Sequence, residues 1–416
     1  AQTGQYIYVK DVKSGRYWSV TYNPTKVKAD EYQAIFSHHQ SEFFRKDGDI
    51  STYTIVSLSI EHDLEIRKVT LKNYGEEEKQ IALTSYVEVV GDSYAAESSH
   101  PAFNKLFIES EYIRDNAVFV SRRRSDGENE NPYILHMVRT GESLKNIEYE
   151  NDRGRFIGRN NTLEAPDAIR ESTSLSNSDG FSCDPIMSLR THVNLVPGGE
   201  AAVTFITGIC KNREEILRLS DEFSIAYRVD DVLERFRLQS IMELKYLGIS
   251  GRQLNAFQNI ISPLFYPSRY YRGSTEIIRR NWKDQNSLWR YGISGDNPIM
   301  LMIVNSAEEA EIIREVLKLY EYLRINLIKV DLVILSEAKY GYMQELDDLI
   351  NSMTTSLKIY DDKDKPGIFL IHSYQLVPAE ADLLYTVAKV VFDKNTGIYF
   401  RNTIADMKNI LAEGYV

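Results

Sequence analysis

The apolar spacing of this chain changes period at Asn212, and that change divides what its two parts can become. Before it, apolar residues recur largely on alternate positions, which indicates strands with one buried and one wet face. After it they recur at helical spacing, and then helical and strand-like runs alternate. One chain with both periods is expected to fold as separate domains, and its 416 residues exceed one ordinary core.

Residues 1–210 read as a large antiparallel β-sandwich. Tyr6-Ile7-Tyr8-Val9 and Tyr17-Trp18-Ser19-Val20 flank the turn Lys13-Ser14-Gly15, a hairpin signal. The alternation that starts at Ile50 ends in Val56, Leu58 and Ile60, and Ile81, Leu83, Ser85, Val87 and Val89 share one face. The strands are too long and too many for a small barrel. Two stretches interrupt them, 91–105 and the polar, aperiodic 141–185, and long loops on a rigid sandwich are where binding residues gather. In the first, Glu97 and His100 form either an acid-base or metal pair, or two loop residues bonded locally, with no third ligand spaced to join them.

Residues 211–287 read as a helical linker. Helices are expected over 213–223, 229–247 and 253–264, the second with Val232, Leu233, Phe236, Leu238, Met242 and Leu244 roughly on one side. That apolar stripe has no evident partner in the chain, so it is expected to pack on something outside it.

Residues 288–416 read as a small α/β domain. It opens with Leu288-Trp289-Arg290-Tyr291-Gly292-Ile293-Ser294-Gly295-Asp296-Asn297-Pro298, a tight polar connection feeding the apolar run 299–304. The stretch is either a structural turn or a loop whose polar side chains face a cleft. Three strand–helix units follow: strands over 299–305, 329–335 and 367–373, helices over 307–324, 343–353 and 379–392. The first strand–helix loop, Asn305-Ser306, has no glycine, so nothing supports nucleotide binding.

Composition narrows the function. Net charge is −11 and the longest basic run is Arg122-Arg123-Arg124, which argues against nucleic acid as a partner. Two cysteines, Cys183 and Cys210, without metal-ligand spacing, fit a reducing, cytoplasmic setting. No apolar run reaches membrane-spanning length. No nucleophile elbow, zinc helix or distinctive carboxylate pair is readable, so no catalytic residue, metal or organic cofactor is assigned. The first residues read almost directly as a strand, and the chain looks like a piece of something longer.

Several stretches together resemble one family. They are Gly15-Arg16-Tyr17-Trp18-Ser19, Phe44-Arg45-Lys46-Asp47-Gly48-Asp49-Ile50, Arg67-Lys68-Val69-Thr70-Leu71-Lys72-Asn73, His100-Pro101-Ala102-Phe103-Asn104-Lys105-Leu106-Phe107 and the segment Leu288 to Asp296 quoted above. In this order they resemble the inverting phosphorylases of glycoside hydrolase family 94. The branch is the long one, with 1,2-β-oligoglucan phosphorylase and the C-terminal part of cyclic β-1,2-glucan synthase.

The resemblance implies a β-sandwich, a helical linker and an (α/α)6 barrel in which an Asp protonates the leaving oxygen while inorganic phosphate attacks. The barrel has no counterpart in this chain. The implied partners are therefore a β-glucan oligosaccharide and a catalytic (α/α)6 barrel in the same or another chain. Candidate sugar contacts are Trp289, Arg290, Tyr291, Asp296 and His100, with Asp296 read first as a turn cap. The expected role is the supporting portion of a phosphorylase acting on β-1,2-linked glucans. A stand-alone glucan-binding module or an assembly subunit is the alternative.

Overall fold

The computed structural model describes residues 4–113, 117–124, 131–140, 146–171, 173–225, 227–266, 268–338, 343–355 and 367–394. The chain folds as two compact units, Ala1–Ile241 and Met242–Val416. The end of the expected α/β domain, residues 395–416, lies outside the described residues.

The first unit begins with seven strands: β1 (Gln5–Asp11), β2 (Tyr17–Ser19), β3 (Glu31–Phe36), β4 (Gln40–Asp47), β5 (Ile50–Leu58), β6 (Leu64–Asn73) and β7 (Lys79–Glu88). Two short helices follow, α1 (Tyr94–Ser99) and α2 (Pro101–Lys105), then β8 (Ile108–Ile113), β9 (Val118–Arg123), β10 (Tyr133–Thr140) and β11 (Glu148–Asp152). Helices α3 (Arg153–Ile157) and α4 (Asp167–Arg170) precede β12 (Gly180–Phe181), β13 (Pro185–Leu195) and β14 (Glu200–Cys210). The unit closes with α5 (Arg213–Glu222) and α6 (Arg228–Tyr246), and the boundary with the second unit falls inside α6.

These strands form two antiparallel sheets, ordered β11-β13-β7-β1-β2 and β12-β8-β9-β10-β14-β6-β5-β4-β3. The alternation read from the sequence sets what lies between them. Ile81, Leu83, Val87 and Val89 point inward with Ile7, Val9 and Leu189 to meet Val69, Leu71, Phe119, Val203 and Phe205 of the larger sheet. Fully burying such a side chain contributes roughly 1.5–3 kcal/mol, so this layer dominates the stability of the unit.

Both sheets are also covered outside. Ile216, Leu219, Phe223, Val229 and Val232 pack on Leu64, Ile66, Leu135 and Met137 of the larger sheet. Phe156, Leu163, Ile169 and Leu175 pack on Tyr8, Tyr86 and Ile186 of the smaller one. This corrects the reading of 141–185 as a long polar loop. Its few apolar residues lack a period because they cover a sheet rather than form one, and β11 within it joins the smaller sheet beside β13. At the other extreme, Leu58 and Ile60 continue the alternation of β5 yet are exposed.

The second unit contains α7 (Gly251–Phe265), α8 (Thr275–Arg280), a 3-10 turn at Gln285–Tyr291, β15 (Ile299–Val304), α9 (Ala310–Ile325), β16 (Asp331–Ser336), α10 (Met343–Thr355), β17 (Ile368–His372), α11 (Pro378–Val387) and β18 (Ala388–Phe392). The sheet order is β17-β16-β15-β18, with every pairing parallel. Helices α9 and α10 cover one face and α11 the other, which is why β15 and β16 are buried along their whole length.

Two expectations change here. The helix expected over 379–392 ends at Val387, and the next five residues form β18 beside β15. The apolar run 388–392 suits either state, and the vacant edge of β15 decides it. The apolar face of α7 needs no outside partner, since Phe257, Ile260 and Leu264 pack on the sheet with Met300, Met302 and Leu332. On α6, by contrast, the stripe read from its sequence is fully buried only at Val232, half-buried at Leu233, Phe236 and Leu244, and exposed at Leu238 and Met242. No helix among the described residues is long and apolar enough to cross a membrane.

Candidate carbohydrate-contact site

The segment from Leu288 to Asp296 is held by its apolar members. Leu288 and Ile293 are buried against β15, β16 and α11, and between them the chain turns through Gly292 in the left-handed region, φ +76°. Gly292 donates its N–H to Trp289 O at 3.0 Å. Gly295, at φ +80°, lies so close to Gln285 that a Cβ would sit 2.8 Å from its side chain. Both glycines are therefore required by geometry.

Between these anchors the polar residues divide into two roles. Arg290 Nη1 donates to Glu380 Oε1 at 2.9 Å, and the Tyr291 hydroxyl donates to Glu380 Oε2 at 2.6 Å. Burial and that bond to a carboxylate push the Tyr291 hydroxyl up to about 12. Burial alone would raise Glu380, but hydrogen bonds from Tyr291, the Val377 N–H and Arg290 outweigh it and hold the carboxyl below its ordinary range. Arg290 and Tyr291 thus tie the loop to the start of α11.

Trp289 points the other way. Its ring is 62% exposed, and Nε1 donates to Ser294 O at 3.3 Å, fixing one edge of a flat apolar surface. Gln285 Nε2 donates to the same carbonyl at 2.8 Å. Asp296 is exposed, and its backbone N–H donates to Ser294 Oγ at 3.2 Å. His100 belongs to the other unit, exposed at the junction of α1 and α2, where its own N–H caps the first helix at Ala96 O.

Sequence reasoning missed Glu380, the residue that organises the loop. Its only local signal is its position two residues after Pro378, in the first turn of α11. It also passed over Trp282, 74% exposed, with Lys283 Nζ 4.6 Å from its ring centre.

One group of side chains among the described residues has metal-like convergence: Glu61, His62 and Glu222. Arg228 occupies its centre of charge, donating to Glu61, to Glu222 and to Asp231 at 2.5 Å, so the acidic oxygens are matched by a guanidinium.

A family model described as "Glycosyl hydrolase 94, supersandwich domain" matches residues 1–225, more than half of the chain and the whole of both large sheets. The chain belongs to glycosyl hydrolase family 94. Among the relatives of this family 94 chain is cyclic beta-(1,2)-glucan synthase NdvB of Rhizobium meliloti (strain 1021), 31% identical over 400 residues, which cover 95% of this chain and 14% of that protein. Solabiose phosphorylase of Paenibacillus borealis is 23% identical over 232 residues, 56% of this chain and 29% of the relative. N,N'-diacetylchitobiose phosphorylase of Vibrio proteolyticus is 26% identical over 217 residues, 52% of this chain and 26% of the relative. The family 94 chain thus spans less than a third of the length of each. The match to NdvB is long enough to take in the α/β unit as well as the sandwich.

Proposed function

We propose that this chain is the supporting portion of a carbohydrate-active phosphorylase, one that converts β-1,2-linked gluco-oligosaccharides and inorganic phosphate to glucose 1-phosphate, with the general acid outside it. The observation that carries this reading is the similarity to NdvB along 95% of the chain, because that relative is a cyclic β-(1,2)-glucan synthase. A second observation supports the placement of the acid. The buried carboxylates Asp11, Asp47, Glu150, Glu321, Asp331 and Glu380 each accept hydrogen bonds from neighbouring protein groups. Hydrogen bonds of this kind favour the ionised form of a carboxyl, as at Glu380, which suits holding neighbours in place more than protonating a leaving group. Asp331 is the exception, raised by burial.

In this role the sandwich supports a catalytic barrel, and the Trp289 loop offers a stacking surface to glucan. Two free cysteines, one exposed and one buried, favour a reducing, cytoplasmic setting, which cell fractionation would check. The deciding assay mixes this chain with phosphate and β-1,2-gluco-oligosaccharides and measures glucose 1-phosphate. None is expected. Product from this chain alone would overturn the assignment.

The exposed, edge-fixed ring of Trp289 favours a second reading, a glucan-binding module. It predicts saturable binding of β-1,2-gluco-oligosaccharides by calorimetry, weakened about tenfold in Trp289→Ala, a loss of about 1.4 kcal/mol. A flat titration removes it.

A further inference from the structure

The outer face of the smaller sheet carries a half-open cavity to which four strands contribute. Tyr8 on β1, Thr84 on β7, Arg190 on β13 and Glu148 on β11 are register partners in one row across the sheet. The next row on the same face is Lys10, Ala82 and His192. Because its middle member is alanine, the longer side chains on either side stand around an unfilled space. Ile169, Glu171, Thr173 and Ser174 of the covering segment complete the walls. The space amounts to about 160 Å³, against roughly 10–15 Å³ for a single water.

Two cations, Lys10 and Arg190, and two carboxylates, Glu148 and the exposed Glu171, line this space, but the carboxylates do not serve both cations. Lys10 is 9% exposed, and its ammonium donates to Glu171 O at 2.7 Å and Arg170 O at 3.3 Å, both backbone carbonyls. No carboxylate among the described residues pairs with it, and one of its three N–H groups remains to give. Arg190, 7% exposed, donates to Thr84 Oγ1 at 3.0 Å, Thr173 O at 3.0 Å, Glu148 Oε2 at 3.1 Å and the Ala168 carbonyl. Glu148 is thus the one carboxylate bonded to these two buried cations, and it also accepts from Leu175 N at 2.8 Å. Burial and the neighbouring Arg190 hold Lys10 below the ordinary lysine range, and burial lowers Arg190 as well. Buried charges are normally paired, because each unpaired ion costs several kcal/mol of desolvation. Thr84 Oγ1 accepts from Arg190 and so keeps its own hydrogen to give.

We propose that this cavity binds a small oxyanion of the phosphate class, held by the Lys10 ammonium and the Thr84 hydroxyl beside Arg190. The site lies wholly within the sandwich unit and does not depend on the role assigned to the Trp289 loop. The anion would be either free phosphate or the phosphate group of a sugar ester, whose sugar would extend past His192 and Glu171, both exposed.

The test titrates the full chain with inorganic phosphate and, separately, with glucose 1-phosphate by calorimetry at fixed ionic strength. One-to-one binding of at least one of them is expected, weakened at least about tenfold by Lys10→Met, as removal of a charge-assisted bond requires. Ala82→Leu fills the space without altering charge and is expected to abolish binding, which keeps the test open if the lysine variant does not fold. Tighter inorganic phosphate identifies the free anion, and tighter glucose 1-phosphate identifies the ester. Absence of saturable heat from both, or unchanged affinity in Ala82→Leu, would overturn the site.

Discussion

Arg45 and Asp47, two positions apart on one strand, form a two-pronged ion pair out of reach of water. Nε meets Oδ2 at 2.6 Å and Nη2 meets Oδ1 at 2.8 Å, with side-chain exposures of 1% and 3%. The same guanidinium donates to Val27 O at 2.8 Å and Thr21 O at 3.4 Å, pinning the connection between β2 and β3. Removing one partner strands a buried charge, so Asp47→Ala should destabilise the sandwich by about 3–5 kcal/mol, read as a shift in its urea midpoint. A shift below about 1 kcal/mol would mean that water reaches the arginine.

His136 connects the two sheets. Its ring bonds Ser85 across the core at 2.7 Å and Thr207 at 2.9 Å, and burial pushes its pKa down to about 3. The unfolded chain takes up a proton near pH 6.5 that the folded chain refuses. Stability is therefore full above about pH 6.5 and falls as the pH drops toward 3, by up to about 1.4 kcal/mol per pH unit. His136→Gln keeps a donor and an acceptor without the titration. Its stability curve should be flatter over that window by about one proton, and an unchanged slope would rule the histidine out as the source.

Gly208 on β14 lies against the backbone of β6. A Cβ there would sit 2.4 Å from Asp63 O, a carbonyl already anchored by Ile209 N at 3.1 Å. Neither side can move without breaking the ladder, so Gly208→Ala should cost about 1–3 kcal/mol. Thermal unfolding of the variant measures it.

Glu380 and Trp289 should separate fold from contact. Glu380→Gln removes the charge that Arg290 and Tyr291 share and should cost about 1–2 kcal/mol, a figure kept small because Arg290 is 58% exposed. Trp289→Ala should leave the unfolding midpoint in place while weakening glucan binding. If both variants change stability equally, the loop works as one structural piece and the tryptophan has no separate role.

Much of the fold is legible in the spacing of apolar residues alone. The face shared by Ile81, Leu83, Val87 and Val89 is the interior of the sandwich, and the run 299–304 is a strand buried along its whole length. The α5 boundary is legible too, since Asn212 caps it by accepting from Glu215 N at 2.9 Å. The candidate site is less visible. Its loop shows in the glycines and the aromatic run, but Glu380 lies 90 positions from Arg290, and nothing near either residue announces the other.

The sequence by itself determined period, turns and caps, because these depend on side chains a few residues apart. Tertiary structure alone decided what polar residues face. Arg190 and Thr84 meet across 106 positions because β13 pairs with β7, and Lys10 joins them because β1 pairs with β7 on its other edge. The same holds for 388–392, where the open edge of β15 selects strand over helix. Local propensity is a matter of tenths of a kcal/mol per residue, whereas an unfilled edge or an unpaired buried charge is a matter of whole ones.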